Sequence, residues 1–483
     1  MSKFKKTTLT LLAILWVGTI NISAQTDSLW TLQRCIDYAL EHNLSVQNQQ
    51  LNVDLNEVNL FQSKMVLAPT LNANANYGLN WGLSINPVTN FAQQQQQSNG
   101  NAGLNASLLI FSGGRTLKTI RQNKTLLENG ENDLEKIKND VILTLITLYT
   151  NVIFNQELLN NAETQYSSTK SQLERTEKQV AAGALPKSSA LDLLAQLASN
   201  ELNVIDAENN LQLSLLQLKQ SMLLPGSSTL GIVIPEIELD SSMIADINVN
   251  LIYEHAERAL PEIHSADGQV IAAEIGVKVA EGNYYPTLRL NAGLNTNHSS
   301  IIADRGLSEG NGTFVDVPIG FLGSSTSGLP VVTPVENRNS FPYPIGQQLS
   351  DNFGQFVSLS LSIPIFNNYQ ANAQVQRAKI NRDRAIVQAE QARQLLRETI
   401  ENSSNDASSA AKSYVSSFKR VEAQEESFRA TEQRYENGAA NYTEYQIAEN
   451  NLFQAKSDLL RAKYSFIFRL KILDFYQGKP IEL

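Results

Sequence analysis

Leu71-Asn72-Ala73-Asn74-Ala75-Asn76-Tyr77-Gly78-Leu79-Asn80-Trp81-Gly82-Leu83-Ser84-Ile85 is the stretch whose reading decides the fold. Every odd position is apolar, and every even position is Asn, Gly or Ser. Such strict alternation marks a β-strand with two chemically distinct faces, and the run is long for an ordinary strand of about 5–6 residues. Three other stretches repeat the pattern. Ala102, Leu104, Ala106, Leu108 and Ile110 alternate with Asn101, Gly103, Asn105 and Ser107. Leu288, Leu290, Ala292 and Leu294 alternate with Arg289, Asn291, Gly293 and Asn295. Val357, Leu359, Leu361, Ile363 and Ile365 alternate with Ser358, Ser360 and Ser362.

A soluble sandwich would carry Lys, Glu, Thr and Arg on its wet faces. Small uncharged polar residues suit a crowded barrel lumen instead, and their apolar partners suit lipid. Asn72, Asn74, Asn76, Asn105, Asn291 and Ser360 are therefore candidate lumen residues. Tyr77, Leu79, Trp81, Leu104, Leu290 and Leu361 are candidate lipid-facing residues. Four strands do not close a barrel, for which about eight is the practical minimum. An open edge in hydrocarbon leaves backbone groups unpaired at several kcal/mol each, so membrane strands here require two or more copies of the chain.

The chain is built twice. Residues 39–69 align with 256–286, including Pro69-Thr70-Leu71 against Pro286-Thr287-Leu288. Downstream the offset is 255 residues, and Gly183 then matches Gly438. The extra length of the second unit lies between its strands, in the stretch 297–352 that holds Pro318, Pro330, Pro334, Pro342 and Pro344. That stretch reads as an extracellular loop, and Gln93 to Gln97 read as the tip of the first hairpin.

Between the strands and the glycines run long heptad helices. Leu145, Val152, Leu159, Tyr166, Leu173 and Val180 recur every seven residues. Their counterparts Ile400, Ala407, Tyr414, Val421, Phe428 and Tyr435 are all apolar, which implies coiled-coil packing. A second seam of Leu148, Asn155, Ala162, Thr169 and Thr176, with Ser403, Ala410, Ser417, Gln424 and Thr431, reads as small or polar. It either lines water or lets helices approach closely. Each long helix ends at a glycine and returns as a shorter one. About 70 residues make a rod of about 105 Å, matched by two helices of about 55 Å each, which read as 31–67 and 188–224 in the first unit. This arithmetic predicts a cylinder wall alternating continuous helices with stacked pairs.

The ends of the chain set compartment and charge. Lys3, Lys5 and Lys6, an apolar run over 9–20 and Ile22-Ser23-Ala24 read as a signal peptide over 1–24. The leader holds three of the 38 basic residues and none of the 48 acidic ones, leaving the mature chain at net −13. That balance argues against nucleic acid as a partner. Cys35 is the only cysteine, so no intrachain disulfide forms, and its setting among Leu32, Ile36 and Leu40 reads as a helix core. Beyond the leader no run of eighteen apolar residues suggests a membrane helix. The segments are a first helix–strand–strand–helix repeat over 25–224, a linker over 225–250, a second repeat over 251–476 and a tail over 477–483.

The order of these features resembles the TolC family of outer-membrane efflux proteins over essentially the whole mature chain. The resemblance rests on the duplication, the Pro-Thr-Leu strand entries, Leu191-Asp192-Leu193-Leu194-Ala195-Gln196 in the returning helix, and the turns Gln179-Val180-Ala181-Ala182-Gly183 and Arg434-Tyr435-Glu436-Asn437-Gly438. It implies a mixed α and β membrane fold: a coiled-coil tunnel in the periplasm plus four strands of a shared twelve-strand barrel in a homotrimer. It further implies an exit duct in the outer membrane, fed by a periplasmic adaptor and an inner-membrane pump in efflux or type I secretion. By position, Gly183, Lys187, Arg434, Tyr435, Glu436, Gly438 and Glu444 fall at the tunnel's tip, where gating and adaptor contact are expected. The returning turn Ala440-Asn441-Tyr442-Thr443-Glu444-Tyr445 departs from the aliphatic first turn. No catalytic motif is present, so no enzyme activity is expected, and no cofactor or metal is called for. His42, His255, His264 and His298 are scattered, the first three on helices. A non-conducting coiled-coil scaffold is the competing reading, and it leaves the four alternating strands unexplained.

Overall fold

The computed structural model describes residues 29–85, 92–235, 248–300, 310–322, 329–338 and 342–479. The leader over 1–24 and residues 480–483 of the tail lie outside the described residues. In chain order the elements are β1 (Leu29–Trp30), α1 (Leu32–His42), α2 (Leu44–Met65), β2 (Thr70–Ile85), β3 (Ala92–Ser112), α3 (Arg115–Ala181), α4 (Lys187–Ser221) and β4 (Gly231–Ile232). There follow α5 (Val249–Ala259), α6 (Pro261–Glu281), β5 (Thr287–Ser299), β6 (Gly310–Leu322), β7 (Leu329–Arg338), α7 (Ile345–Asp351), β8 (Gly354–Ser362), α8 (Gln370–Glu436) and α9 (Tyr442–Tyr476).

The duplication is carried into three dimensions with little drift. α3 and α8 are each 67 residues long, or about 100 Å. α4 and α9 are each 35 residues long. The helices that lead into the strands do not run unbroken, as the span 31–67 suggested. The first is interrupted at Asn43, whose backbone is extended and whose side chain accepts hydrogen bonds from the N–H groups of Ser45 and Val46. Asn43 thus ends α1 and caps α2. The second is interrupted at the matching place, Leu260, because Pro261 removes a backbone donor and starts α6.

The chain divides into two compact units. The first comprises Met1–Gln50, Leu134–Leu260 and Arg393–Leu483. Its core gathers Leu145, Ile146, Tyr149, Val152 and Ile153 of α3 with Cys35 and Ile36 of α1, Leu218 of α4 and Ile467 of α9. By length and composition α3 is apolar enough to cross a membrane, although polar residues such as Thr144, Thr147 and Asn151 interrupt the stretch. Part of that apolar character is core packing, through these five buried residues. The inter-repeat stretch contributes β4, which pairs in parallel with β1. The Tyr149 hydroxyl lies 2.7 Å from the Val233 carbonyl and 3.0 Å from that of Trp30, tying both short strands to α3. Burial pushes the Tyr149 hydroxyl and the Cys35 thiol each up to about 12, so the cysteine is a core residue and not a reactive one.

The second seam of α3 takes the close-approach alternative. Ala162, Thr169 and Thr176 are buried, and Thr169 accepts a hydrogen bond from Asn200 of α4 at 2.8 Å. On α8 Ala410 is buried, whereas Ser417, Gln424 and Thr431 are half-buried.

The second unit comprises Leu51–Asp133 and Pro261–Ala392. It holds an antiparallel sheet in the order β2-β3-β5-β8, so β2 and β8 are its edges. The inner strand pair is longer than the sequence suggested: β3 begins at Ala92, and Gln93–Gln97 belong to it instead of forming the hairpin tip. The backbone simply continues its pairing, with Trp81 opposite Gln96 and Leu83 opposite Gln94. β8 is shorter than expected and stops at Ser362, leaving Ile363 and Ile365 outside it. Pro364 follows at once and has no N–H for the ladder. A β-bulge at Ile110 shifts the register, so Leu109 pairs with Arg289 and Phe111 with Leu288. The stretch read as an extracellular loop contains a second hairpin, β6–β7, and the short helix α7.

Candidate functional site

Two places collect the residues singled out in the sequence. The first is the four-stranded sheet. Asn72 pairs with Asn105, Asn74 with Gly103 and Asn76 with Asn101. Asn105 lies opposite Gly293, Asn291 opposite Ser107 and Ser358, and Ser360 opposite Arg289. Directly opposed residues share a face, so all six candidate lumen residues lie on one side of the sheet. Side chains link this face across strands: Asn105 donates to Asn74 at 3.1 Å, and Ser107 donates to Asn291 at 2.9 Å. The other side carries Tyr77, Leu79, Trp81, Leu104, Leu290 and Leu361. Its outer members on β2 and β8 are widely exposed, with Trp81 at 71% and Val357 at 75%.

Phe356 breaks the polar character of the first face. It sits opposite Gly293, and a Cβ there would come within 2.6 Å of its ring. A glycine is what lets the aromatic lie flat on the strand. The alternation of Leu and Ser in β8 gave no warning of it, although Phe356 shares the parity of Ser358.

At the end of the sheet away from the helices, β5 runs on past the start of β8. There α7 takes the place of a neighbouring strand. Ser299 donates its backbone N–H to the Gln348 side chain at 3.0 Å, and Asn352 donates to the Asn297 carbonyl at 3.0 Å. Thr296 donates to the Leu349 carbonyl at 2.6 Å. His298 is buried beside Gln348 and stacks on Tyr77. Sequence reasoning missed Gln348, and the buried polar cluster has no short motif that would reveal it.

The second place is the pair of helical turns in the first unit. Gly183 and Gly438 adopt φ of +75° and +73°, where only glycine is unstrained. In both turns the residue after the glycine donates back to the helix: Ala184 to Gln179 at 2.8 Å, and Ala439 to Arg434 at 2.7 Å. The glycines themselves donate to Val180 and Tyr435, which completes a Schellman motif in each repeat. In the second turn the Arg434 guanidinium donates to Glu444 at 3.2 Å and to the Ala439 carbonyl at 3.3 Å. Asn441 caps α9 by accepting from the Glu444 N–H at 2.9 Å.

Tyr435 joins an aromatic group with Tyr442 and Tyr445, and Tyr445 also meets Phe428. Burial first, then the nearby Glu449, push the Tyr445 and Tyr442 hydroxyls upward. Glu449 is itself raised by burial, a shift opposed by the hydrogen bond it accepts from Ser168 at 3.1 Å. Tyr435, Glu436 and Gly438 line a cleft with Gln172, Arg175 and Gln179 of α3. Gly183, Lys187, Arg434 and Glu444 lie outside its lining, and Lys187 is exposed at the start of α4. Among the described residues no group of three His, Cys, Asp or Glu is placed to hold a metal ion.

Residues 35–222 and 346–476 match the outer membrane efflux protein family, and the chain belongs to that family. The family is one of channels and not of enzymes, and it places the chain in the outer membrane. Outer membrane protein TolC of Escherichia coli is 26% identical over 330 residues, which are 68% of this chain and 59% of that protein. The chain thus spans about three fifths of the length of that relative. The Vibrio cholerae outer membrane protein VceC superposes with a TM-score of 0.68 at 16% identity, over 93% of this chain and 97% of that one. The Campylobacter jejuni CmeC outer membrane channel gives a TM-score of 0.68 at 18% identity, over 92% and 85%. The fold is therefore the TolC-like one: mixed α and β, internally duplicated, with long helices for a coiled-coil barrel and four strands as one chain's share of a membrane β-barrel.

Proposed function

We propose that the protein is an outer-membrane exit duct that works as a homotrimer. The single observation that carries this reading is the sheet, with one Asn- and Ser-rich face, one apolar face and two open edges. In hydrocarbon those edges have to be paired, and pairing β8 of one copy with β2 of the next does so. Three copies give twelve strands. The face of Asn72, Asn74, Asn76, Asn105, Asn291 and Ser360 then lines the lumen, and Tyr77, Leu79, Trp81, Leu104, Leu290 and Leu361 meet lipid.

In this reading the long helices form a periplasmic tunnel whose tip is built by the turns at Gly183 and Gly438. A periplasmic adaptor docks there around Lys187, Glu436 and Glu444 and joins the duct to an inner-membrane pump. Efflux and type I secretion both use such a duct. Arg434 or Tyr435 helps hold the tip closed, a role supported by the brace to Glu444 and the tyrosine stacking.

Heat-modifiable trimers in outer-membrane fractions, with conductance of the purified protein in planar bilayers, are the expected results. A soluble, non-conducting rod would overturn the reading in favour of a scaffold. Replacing Arg434 and Tyr435 together by Ala should raise single-channel conductance. Unchanged conductance in intact trimers would remove those two residues from the gate.

A further inference from the structure

We propose that Arg289 sets the charge selectivity of the barrel and favours anionic solutes. The inference rests on the assignment of the Asn- and Ser-rich face to the lumen. Among the described residues of β2, β3, β5 and β8, Arg289 is the only one with a permanent charge. It stands opposite Leu109 on one side and Ser360 on the other, and it shares its face with Asn291. Its side chain is exposed, and no acidic group among the described residues pairs with it. It lies two residues from the start of β5, at the end of the sheet where the strands meet the helices, and at the level of the Ile110 bulge.

A guanidinium stays charged at every working pH. No other described residue on this face of β2, β3, β5 and β8 carries a charge to offset it. Symmetry repeats it once per copy at one height, which makes a cationic ring, and such rings select anions in pores. The low-dielectric wall focuses the field into the lumen. The field reaches about 10 Å at 0.1 M salt and about 30 Å at 0.01 M, so the preference grows as salt is lowered. If the same face met lipid instead, Arg289 would be a headgroup anchor with no effect on the current.

The test is the zero-current potential of the full-length protein in planar bilayers under a KCl gradient at low salt. Arg289→Gln should lower the chloride-to-potassium permeability ratio about twofold, and the difference should shrink at 1 M salt. Arg289→Lys should keep the wild-type ratio. Arg289→Cys should lose it and regain it on reaction with a cationic methanethiosulfonate, since the native Cys35 is buried. Conducting variants that all share the wild-type ratio would overturn the role of Arg289 and leave the duct standing. Silence of the inserted wild type and of the inserted variant with Arg434 and Tyr435 both replaced by Ala would overturn the duct itself.

Discussion

The two turns differ in almost everything except their geometry. Both close on a glycine near +74°, with the same two backbone hydrogen bonds, between helices of equal length. Yet Gln179, Val180, Pro186, Lys187, Ala190 and Leu194 of the first are answered by Arg434, Tyr435, Asn441, Tyr442, Tyr445 and Glu449 of the second. The first turn has no side-chain cap, whereas the second has Asn441. The shape therefore resides in helix length and one left-handed residue, and the chemistry at the turn is free to diverge. The long helices show the same division. Their apolar seams match residue for residue, while the second seam is buried at Asn155, Ala162, Thr169 and Thr176 of α3, though only half-buried at Leu148, and in α8 is buried only at Ala410.

The largest test of this contrast is a charge placed in each second seam. Thr176 is fully buried, so Thr176→Glu should cost several kcal/mol in the denaturation of purified protein. Thr431→Glu, at a half-buried position, should cost no more than about 1 kcal/mol. Equal losses would end the distinction between the helices. Next in size, Gly183→Ala and Gly438→Ala should each lower stability by about 1–2 kcal/mol, because both force a side chain into the left-handed region. A large loss at only one would show that the turns are not equivalent.

Smaller still, Asn441→Ala should cost about 1 kcal/mol by removing the cap of α9. Pro186→Ala should change little, since Pro186 makes no side-chain cap bond. The smallest effect depends on pH. Folding raises Glu449 above its ordinary value of 4.5, so the folded state holds the proton more tightly and stability falls as pH rises through the raised value. Glu449→Gln should therefore denature at a higher midpoint than wild type at pH 8, with the gap closing below pH 4.5. A gap that is constant with pH would remove titration as the cause.

Much of this was legible in the residues because two periods dominate the chain. Alternation fixed the faces of the strands, and the register set Asn72 against Asn105 and Leu290 against Leu359 as the parity requires. Spacing by seven located Leu145 and Ile400 in their cores. What escaped was decided by single events that periodicity does not encode. Pro364 cut β8 short, Pro261 broke a helix at the place where Asn43 broke its counterpart, and one extra residue at Ile110 slipped a register. The glutamines of β3 carry weak strand preference, and only their pairing with β2 makes them strand. The turn residues are close in sequence, but the pairing of Arg434 with Glu444 needs the turn to be built first.

The nine residues of β8 carry a mechanical consequence for the proposed trimer. A ring of strands is only as tall as its shortest member at each join, and β8, an edge of the sheet, would border the join between copies. Nine residues make about 30 Å, which after tilting is close to the least that crosses a membrane. The joins between subunits would then be the thinnest lines of the wall, with no hydrogen bonds to spare. Under load or heat, the assembly should part along those lines before any one chain loses its own sheet.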